Sequence, residues 1–168
     1  MTQTTTSGVC GTPAVCGVRA AGAVLYDQRA VRALAARPEV EPDELAAACP
    51  HGLFIARLDR TRGVDVTTGW AELATQVSIQ PPMPAMARAL LAARMTAYPH
   101  LPWVATLCGH VVLGADAVRA DLVAGGSIAF TLAPPSSWFE VLVDRVMPTS
   151  RGGRPWVVWT PRLSGSRG

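Results

Sequence analysis

The sequence predicts a single α+β domain in which a mixed, mostly antiparallel sheet packs against three to four helices. Its 168 residues suffice for one compact domain with a sizeable core, since 49% are hydrophobic and only 16% are charged. Helical and extended segments follow one another without the regular strand–helix–strand alternation of a parallel sheet. We expect the domain to span residues 21–162, between a flexible lead-in over 1–20 and a flexible tail over 163–168.

The first third of this domain is predicted to hold two short helices and a strand. Asp27 is a suitable N-cap for a helix that ends before Pro38, and Pro42 suits the first turn of a second helix that runs to Cys49. The continuous apolar run Gly52–Leu58 is typical of a strand that is buried on both faces.

The central third contains the clearest helical periodicity of the chain. Residues Gly69–Gln80 fit either a strand or a helix, and a cluster of prolines ends this segment. From Pro84 to Pro99, apolar residues recur at helical spacing, which predicts a helix whose apolar stripe faces the core. The following run, Trp103–Leu113, is predicted to be one strand.

The last third is predicted to add one helix and three strands. Residues Ala115–Val123 have the composition of a helix, and two glycines directly after them provide its end. Extended segments are predicted at Ser127–Leu132, Phe139–Val146 and Pro155–Thr160, the last two joined by a turn rich in glycine and arginine.

Charge and composition exclude several classes of protein. The net charge of +3 is small and dispersed, which argues against a dedicated nucleic-acid binder. No uninterrupted apolar stretch reaches the length of about 18 residues that spans a bilayer, and the first residues resemble no signal peptide. We therefore expect a reducing compartment, no membrane contact, and thiols rather than disulfides for the four cysteines. All 15 basic residues are arginine, which indicates GC-rich coding, as in an actinobacterium or a GC-rich large DNA virus.

Two Cys-x-His pairs have residue types that suit a zinc site. Cys49 with His51 and Cys108 with His110 form a nominal zinc-ligand set, which a zinc-stabilised adaptor would use. Their spacing is shorter than in zinc knuckles, and the second pair falls within a predicted strand. We therefore expect buried thiols beside hydrogen-bonded histidines, and no metal site.

Nucleophilic catalysis would need Cys108 beside a histidine, with Asp116 as the orienting acid. His100 and His110 are the candidates for that histidine, but burial in a strand would raise the pKa of the Cys108 thiol and make it inert. The sequence also holds no G-x-S-x-G motif and no glycine-rich phosphate loop. It predicts no catalytic residue and no cofactor, and it favours a non-enzymatic function.

The final strand provides the candidate partner surface. Trp156 and Trp159 lie three positions apart, so they face opposite sides of a strand, and one of them is expected to be exposed near Arg154 and Arg162. Exposed tryptophan beside arginine is typical of interface hot spots. If this strand lies at a sheet edge, it can also pair with a partner or with a second copy as a homodimer.

The order of several landmarks over residues 49–146 resembles a known viral family. These landmarks are Pro50 with Gly52–Ile55, Ala97–Pro99 before Trp103, Val118–Arg119, Ala124–Gly125, Ile128–Pro134 and Phe139. They are similar to the small nuclear protein encoded by the fourth gene of the unique long region in alphaherpesviruses. The resemblance implies a nonstructural protein of the host nucleus that gathers in nuclear bodies with other viral or host nuclear proteins, and it carries over no functional residue.

The alternative hypothesis is a small actinobacterial protein of the bacterial cytoplasm, either an enzyme or a ligand-binding domain. Its pocket would lie near Cys108, His110 and His100, and it would bring polar groups together in a concave site. The two hypotheses differ in where function lies. The viral protein works through an exposed surface, whereas the bacterial one works through a cleft.

Overall fold

The computed structural model describes residues 17–20, 23–26, 28–58, 64–66, 68–148 and 153–161. Within these residues the helices are α1 (Gln28–Ala35), α2 (Pro42–Ala48), α3 (Trp70–Val77), α4 (Ala85–Ala97) and two 3-10 helices, Ala124–Gly126 and Ser137–Leu142. The strands are β1 (Gly17–Ala20), β2 (Ala23–Tyr26), β3 (Leu53–Leu58), β4 (Ile79–Gln80), β5 (Leu101–Leu107), β6 (His110–Leu122), β7 (Ile128–Ala133) and β8 (Trp156–Trp159). The single α+β domain is confirmed.

Strand β1 pairs with β2, and the other strands form a six-stranded sheet in the order β4-β7-β6-β5-β3-β8. Only β3 and β5 are parallel, and every other neighbouring pair is antiparallel. The predicted mixed, mostly antiparallel sheet is therefore confirmed. β1 lies within the predicted lead-in, whereas residues 1–16 and the predicted tail 163–168 lie outside the described part of the chain.

Alternating side chains of the central strands supply two cores, one on each face of the sheet. On one face Phe54 packs against Trp103 and Phe130, and α3 and α4 cover these rings with Leu73, Val77 and Leu91. On the other face, Leu53, Ile55 and Val104 pack against α2 and the 3-10 helix Ser137–Leu142. The near-continuous burial of β3 is the pattern that its apolar run predicted.

The predicted strand Trp103–Leu113 is wrong as a single element, because the chain reverses inside it. Cys108 and Gly109 have φ angles of +53° and +87° and form a two-residue turn between Leu107 and His110, which pair across it. Positive φ at both central positions suits the tight turn of a β-hairpin. Cys108 therefore lies exposed at a turn. The prediction that it is buried within a strand is wrong.

The predicted helix Ala115–Val123 is also wrong, since this segment belongs to β6. β6 is 13 residues long and pairs with β5 on one side and β7 on the other, with a bulge between Ala117 and Arg119. Seven consecutive residues, Val111–Ala117, are buried. Ladder hydrogen bonds and burial in the centre of a sheet outweigh the helical preference of the alanines, which is weak per residue.

The predicted strand Phe139–Val146 is wrong for a related reason. The segment opens as the 3-10 helix Ser137–Leu142, whose Trp138, Phe139 and Leu142 are buried together against the sheet. Val146 forms only isolated bridges, to Glu39 and His110. The ambiguous segment Gly69–Gln80 resolves into helix α3 followed by the short strand β4.

Candidate functional site

The two Cys-x-His pairs lie at opposite ends of the sheet. Cys49 and His51 precede β3, whereas Cys108 and His110 flank the turn after β5, and β3 and β5 run parallel. The seven residues of β5 separate these ends by roughly 20 Å at about 3.3 Å per residue. No group of three or more histidine, cysteine or acidic residues in the described part of the chain is placed to hold a metal ion. The same separation keeps Cys108 away from His100.

Cys49 is the buried thiol that the sequence predicted. It is 1% exposed, and burial raises the pKa of its thiol from 9.0 to about 12, with a smaller contribution from the nearby charge of Asp116. Such a thiol stays protonated at neutral pH and is a poor nucleophile.

A cleft of about 370 Å³ lies where β3 and β5 begin. We call it the histidine cleft. The polar and aromatic side chains that line it include Cys49, His51, Tyr98, His100, Ser136 and Trp138. Helix α4 ends at Ala97, and Tyr98 adopts an extended conformation that leads through Pro99 and His100 into β5. The parallel pairing of β3 with β5 then brings His51 to the same end of the sheet.

Asp116 lies behind the histidine cleft and holds two of its lining residues, Ser136 and Trp138, in place. Its carboxylate is buried and accepts hydrogen bonds from the Ser136 backbone N–H at 3.1 Å, from the Ser136 hydroxyl, and from Trp138 Nε1 at 2.6 Å. His100 Nε2 lies 3.9 Å from Asp116 Oδ2, which is beyond hydrogen-bond length. The carboxylate thus takes its hydrogen bonds from Ser136 and Trp138, and the His100 imidazole stands at ion-pair distance from it.

Aromatic and imidazole rings form one wall of the cleft. The rings of His51 and Tyr98 stack with their centroids 3.9 Å apart and their planes within 15°. Trp138 contributes a further ring, held by its bond to Asp116. The predicted pocket contains His100 together with Cys108 and His110, which lie elsewhere, and it lacks Ser136 and Trp138. Ser136 and Trp138 are held at the cleft by Asp116, and Ser136 lies 20 residues from it in the sequence. No local sequence motif therefore predicts their position.

A second concave region of about 370 Å³ lies between α4 and the edge strand β8. We call it the edge groove, and it is lined by Arg57, Ala87, Leu90, Arg154, Trp156 and Val158, among others. The Arg154 guanidinium lies 5.6 Å from the centroid of the Trp156 ring, a cation–π contact. Leu90 of α4 is 53% exposed beside it.

The predicted partner surface divides between the two faces of β8. Trp156 is 5% exposed and packs into the core beneath α3 and α4, whereas Trp159 is half-buried against the opposite core. The two indoles therefore face opposite sides, as their spacing predicted, and neither is fully exposed. Arg154 is exposed, and Arg162 lies outside the described residues. The sequence analysis missed Arg57 and Leu90, which reach this surface from β3 and α4.

No protein-family model, curated protein or solved structure matches the chain. Among the described residues, no helix is both long enough and apolar enough to cross a membrane. The inferences that follow therefore depend on the geometry of the histidine cleft and the edge groove.

Proposed function

We propose that this chain is a non-enzymatic interaction protein that binds an acidic, extended segment of a partner protein along the edge groove. The observation that carries this proposal is the position of β8 at the end of the sheet, directly beside a groove that holds two arginines. In the described part of the chain, β8 pairs only with β3. The N–H and C=O groups along its other edge can therefore form hydrogen bonds with a partner strand.

The backbone of β8 supports strand addition as the mode of binding. An extended peptide that adds to a sheet edge gains main-chain hydrogen bonds, and neighbouring pockets take its alternate side chains. β8 is four residues long, and the edge groove runs beside it against α4. An added strand would therefore place alternate side chains toward the groove.

Charge and hydrophobicity in the groove favour an acidic segment with apolar positions. Arg57 and Arg154 are basic, and none of the described residues that line the groove is acidic. Leu90 and Trp156 supply apolar area next to these charges. The arginine guanidinium donates two parallel hydrogen bonds to a carboxylate, which makes glutamate or aspartate side chains suitable occupants.

The setting in which such a partner occurs stays a prediction. The alphaherpesvirus resemblance implies viral or host proteins of nuclear bodies, and it agrees with a protein that acts through a surface. An interaction protein from a GC-rich bacterium would use the same groove in the same way, so the binding experiment does not depend on the source.

The test uses two fluorescein-labelled octapeptides, one alternating glutamate with valine and the other alternating lysine with valine. Fluorescence anisotropy measures their binding to the full chain. We expect the acidic peptide alone to bind, and Arg154→Glu to weaken it by tenfold or more, because a charge-assisted hydrogen bond is lost and a repulsion is added. Arg119→Glu is the matched control, since Arg119 is also exposed, lies on β6 and pairs there with Asp121.

A third peptide separates strand addition from simple charge attraction. It has the acidic sequence with alternate backbone nitrogens methylated, so that it keeps its carboxylates but loses N–H donors along one edge. We expect this peptide to bind at least tenfold more weakly. Equal binding of acidic and basic peptides, no effect of Arg154→Glu, or displacement of the acidic peptide by a single-stranded oligonucleotide would each overturn the proposal. So would self-association that buries β8, as a second copy would then be its occupant.

A further inference from the structure

We infer that the histidine cleft is a binding site for a small aromatic carboxylate. This site is separate from the edge groove, and the inference does not depend on the proposed partner binding. It rests on three properties of the cleft: the described residues that line it include two imidazoles and no acidic residue, its walls are flat and aromatic, and its size suits one or two rings.

The donors in the cleft are available to a ligand. His51, His100 and Ser137 line it, whereas Asp116 lies behind them and is not part of its lining. The 3.9 Å between His100 Nε2 and Asp116 Oδ2 is an ion-pair distance but is too long for a hydrogen bond, so the imidazole N–H can still donate to a ligand. Asp116 in turn takes its hydrogen bonds from Ser136 and Trp138. A ligand entering the cleft therefore meets the imidazole and not the carboxylate.

The walls favour a planar ring. The His51–Tyr98 stack presents flat ring surface, and Trp138 and neighbouring prolines add apolar area. Planar ligands gain by stacking on such surfaces in offset or edge-to-face arrangements. A volume of about 370 Å³ is near the lower end of ligand pockets, which suits a one- or two-ring molecule better than a dinucleotide cofactor.

The polar residues that line the cleft determine which head group on the ligand it can bind. None of the described residues that line the cleft is acidic, so an amine would find no carboxylate at the surface of the site. Two imidazoles and the Ser137 hydroxyl can donate hydrogen bonds to a ligand, whereas the Ser136 hydroxyl already donates its proton to Asp116. A carboxylate accepts several hydrogen bonds at once. An anionic head group next to a ring is therefore the best match to the donors and walls together.

The test compares three ligands that share a phenyl ring and differ in head group: benzoate, benzylamine and benzyl alcohol. Titration calorimetry and chemical-shift perturbation of the full chain measure binding and its location. We expect benzoate to bind best of the three and its largest shifts to fall on His51, Tyr98 and His100. His100→Gln should weaken benzoate binding by about tenfold, the loss expected for one charge-assisted hydrogen bond.

His110→Gln is the matched control, because His110 lies at the opposite end of β5 and outside the cleft. Circular dichroism and the spectra of both variants establish that the fold is intact, and Tyr98→Leu tests the ring wall if His100→Gln does not fold. The inference is overturned if benzylamine binds as well as benzoate, if shifts map outside the cleft, or if both cleft variants bind benzoate like the unchanged protein. These results would leave the edge-groove proposal unaffected.

Discussion

At Gly114, helix α3 and the 3-10 helix Ser137–Leu142 both contact the same residue of strand β6. Its carbonyl accepts a hydrogen bond of 2.8 Å from Trp70 Nε1 of helix α3. If Gly114 carried a side chain, its Cβ would lie only 2.3 Å from the Phe139 ring. Gly114 therefore allows the 3-10 helix Ser137–Leu142 to approach β6 as closely as it does.

We predict that Gly114→Ala destabilises the protein by about 1–3 kcal/mol, the usual cost of an extra group in a packed core. Urea denaturation followed by tryptophan fluorescence measures the change. Gly69→Ala is the control, since no atom lies within 4 Å of a Cβ at that position and its φ of −64° suits any residue. Its loss as a helix N-cap should cost less than about 1 kcal/mol.

A double variant identifies the ring as the cause. Phe139→Leu removes part of the aromatic edge that the alanine would meet, so Gly114→Ala should cost less in that background than in the unchanged protein. Residues in contact show this kind of non-additivity, whereas distant ones do not. A Gly114→Ala variant as stable as the Gly69→Ala control would contradict the close packing.

At the level of elements, Asp116 of β6 tethers the segment that covers one face of the sheet. Its carboxylate receives bonds from Ser136 and Trp138, which begin the 3-10 helix. We predict that Asp116→Asn destabilises the protein by about 2–4 kcal/mol, because an amide turns one acceptor into a donor facing buried donors. The free energy of unfolding and hydrogen exchange of residues 137–142 report the effect.

Asp121→Asn is the matched control for this tether. Asp121 lies on the same strand, but its partner Arg119 is 71% exposed, and exposed ion pairs contribute about 0–1 kcal/mol. Faster exchange over 137–142 in Asp116→Asn, and not in Asp121→Asn, is the expected result. Equal stability of the two variants would show that hydrophobic contacts of Trp138 and Phe139 hold the 3-10 helix without the carboxylate.

Elements with local signals were predictable, and those defined by distant contacts were not. α2, α4 and β3 follow from Pro42, from helical spacing after Pro84 and from the apolar run Gly52–Leu58. β6 and the 3-10 helix instead depend on neighbours that the sequence does not place: β7 for the former and Asp116 for the latter. Tertiary contacts override local preference in both.

The same argument applies to the candidate sites. His100 and Asp116 were singled out in the sequence, but as partners of Cys108, which the parallel β3–β5 pairing puts at the other end of the sheet. Trp156, Trp159, Arg154 and Arg162 were predicted as a partner surface from the spacing of the two tryptophans on one strand, and that surface stays a prediction. His51 lines the histidine cleft, and Arg57 and Leu90 line the edge groove. Their places there follow from the path of the chain from β3 through α4 to β5, which no local sequence pattern specifies.

For the molecule as a whole, the buried Cys49 thiol and the half-buried His110 imidazole predict a stability that falls at both ends of the pH scale. Burial raises the pKa of the Cys49 thiol from 9.0 to about 12, so the folded state keeps a proton that the unfolded state loses. The stability from this group is complete below pH 9 and is lost as the pH rises toward 12, at about a tenfold change in folding equilibrium per pH unit. Cys49→Ala should flatten this alkaline limb, even though it lowers stability at neutral pH.

His110 should control the acid limb in the opposite sense. Burial, and then the positive charge of Arg37, lower the pKa of its imidazole below 6.5, so that the unfolded chain takes up a proton before the folded one does. Stability is therefore complete above pH 6.5 and declines as the pH falls toward the lowered pKa. We expect His110→Gln to decline less steeply than the unchanged protein between pH 6.5 and 5, in urea midpoints measured at constant ionic strength. His51→Gln, which replaces an exposed histidine, is the control and should follow the unchanged protein. An acid limb that is identical in His110→Gln would show that His110 takes up its proton equally in the folded and unfolded states.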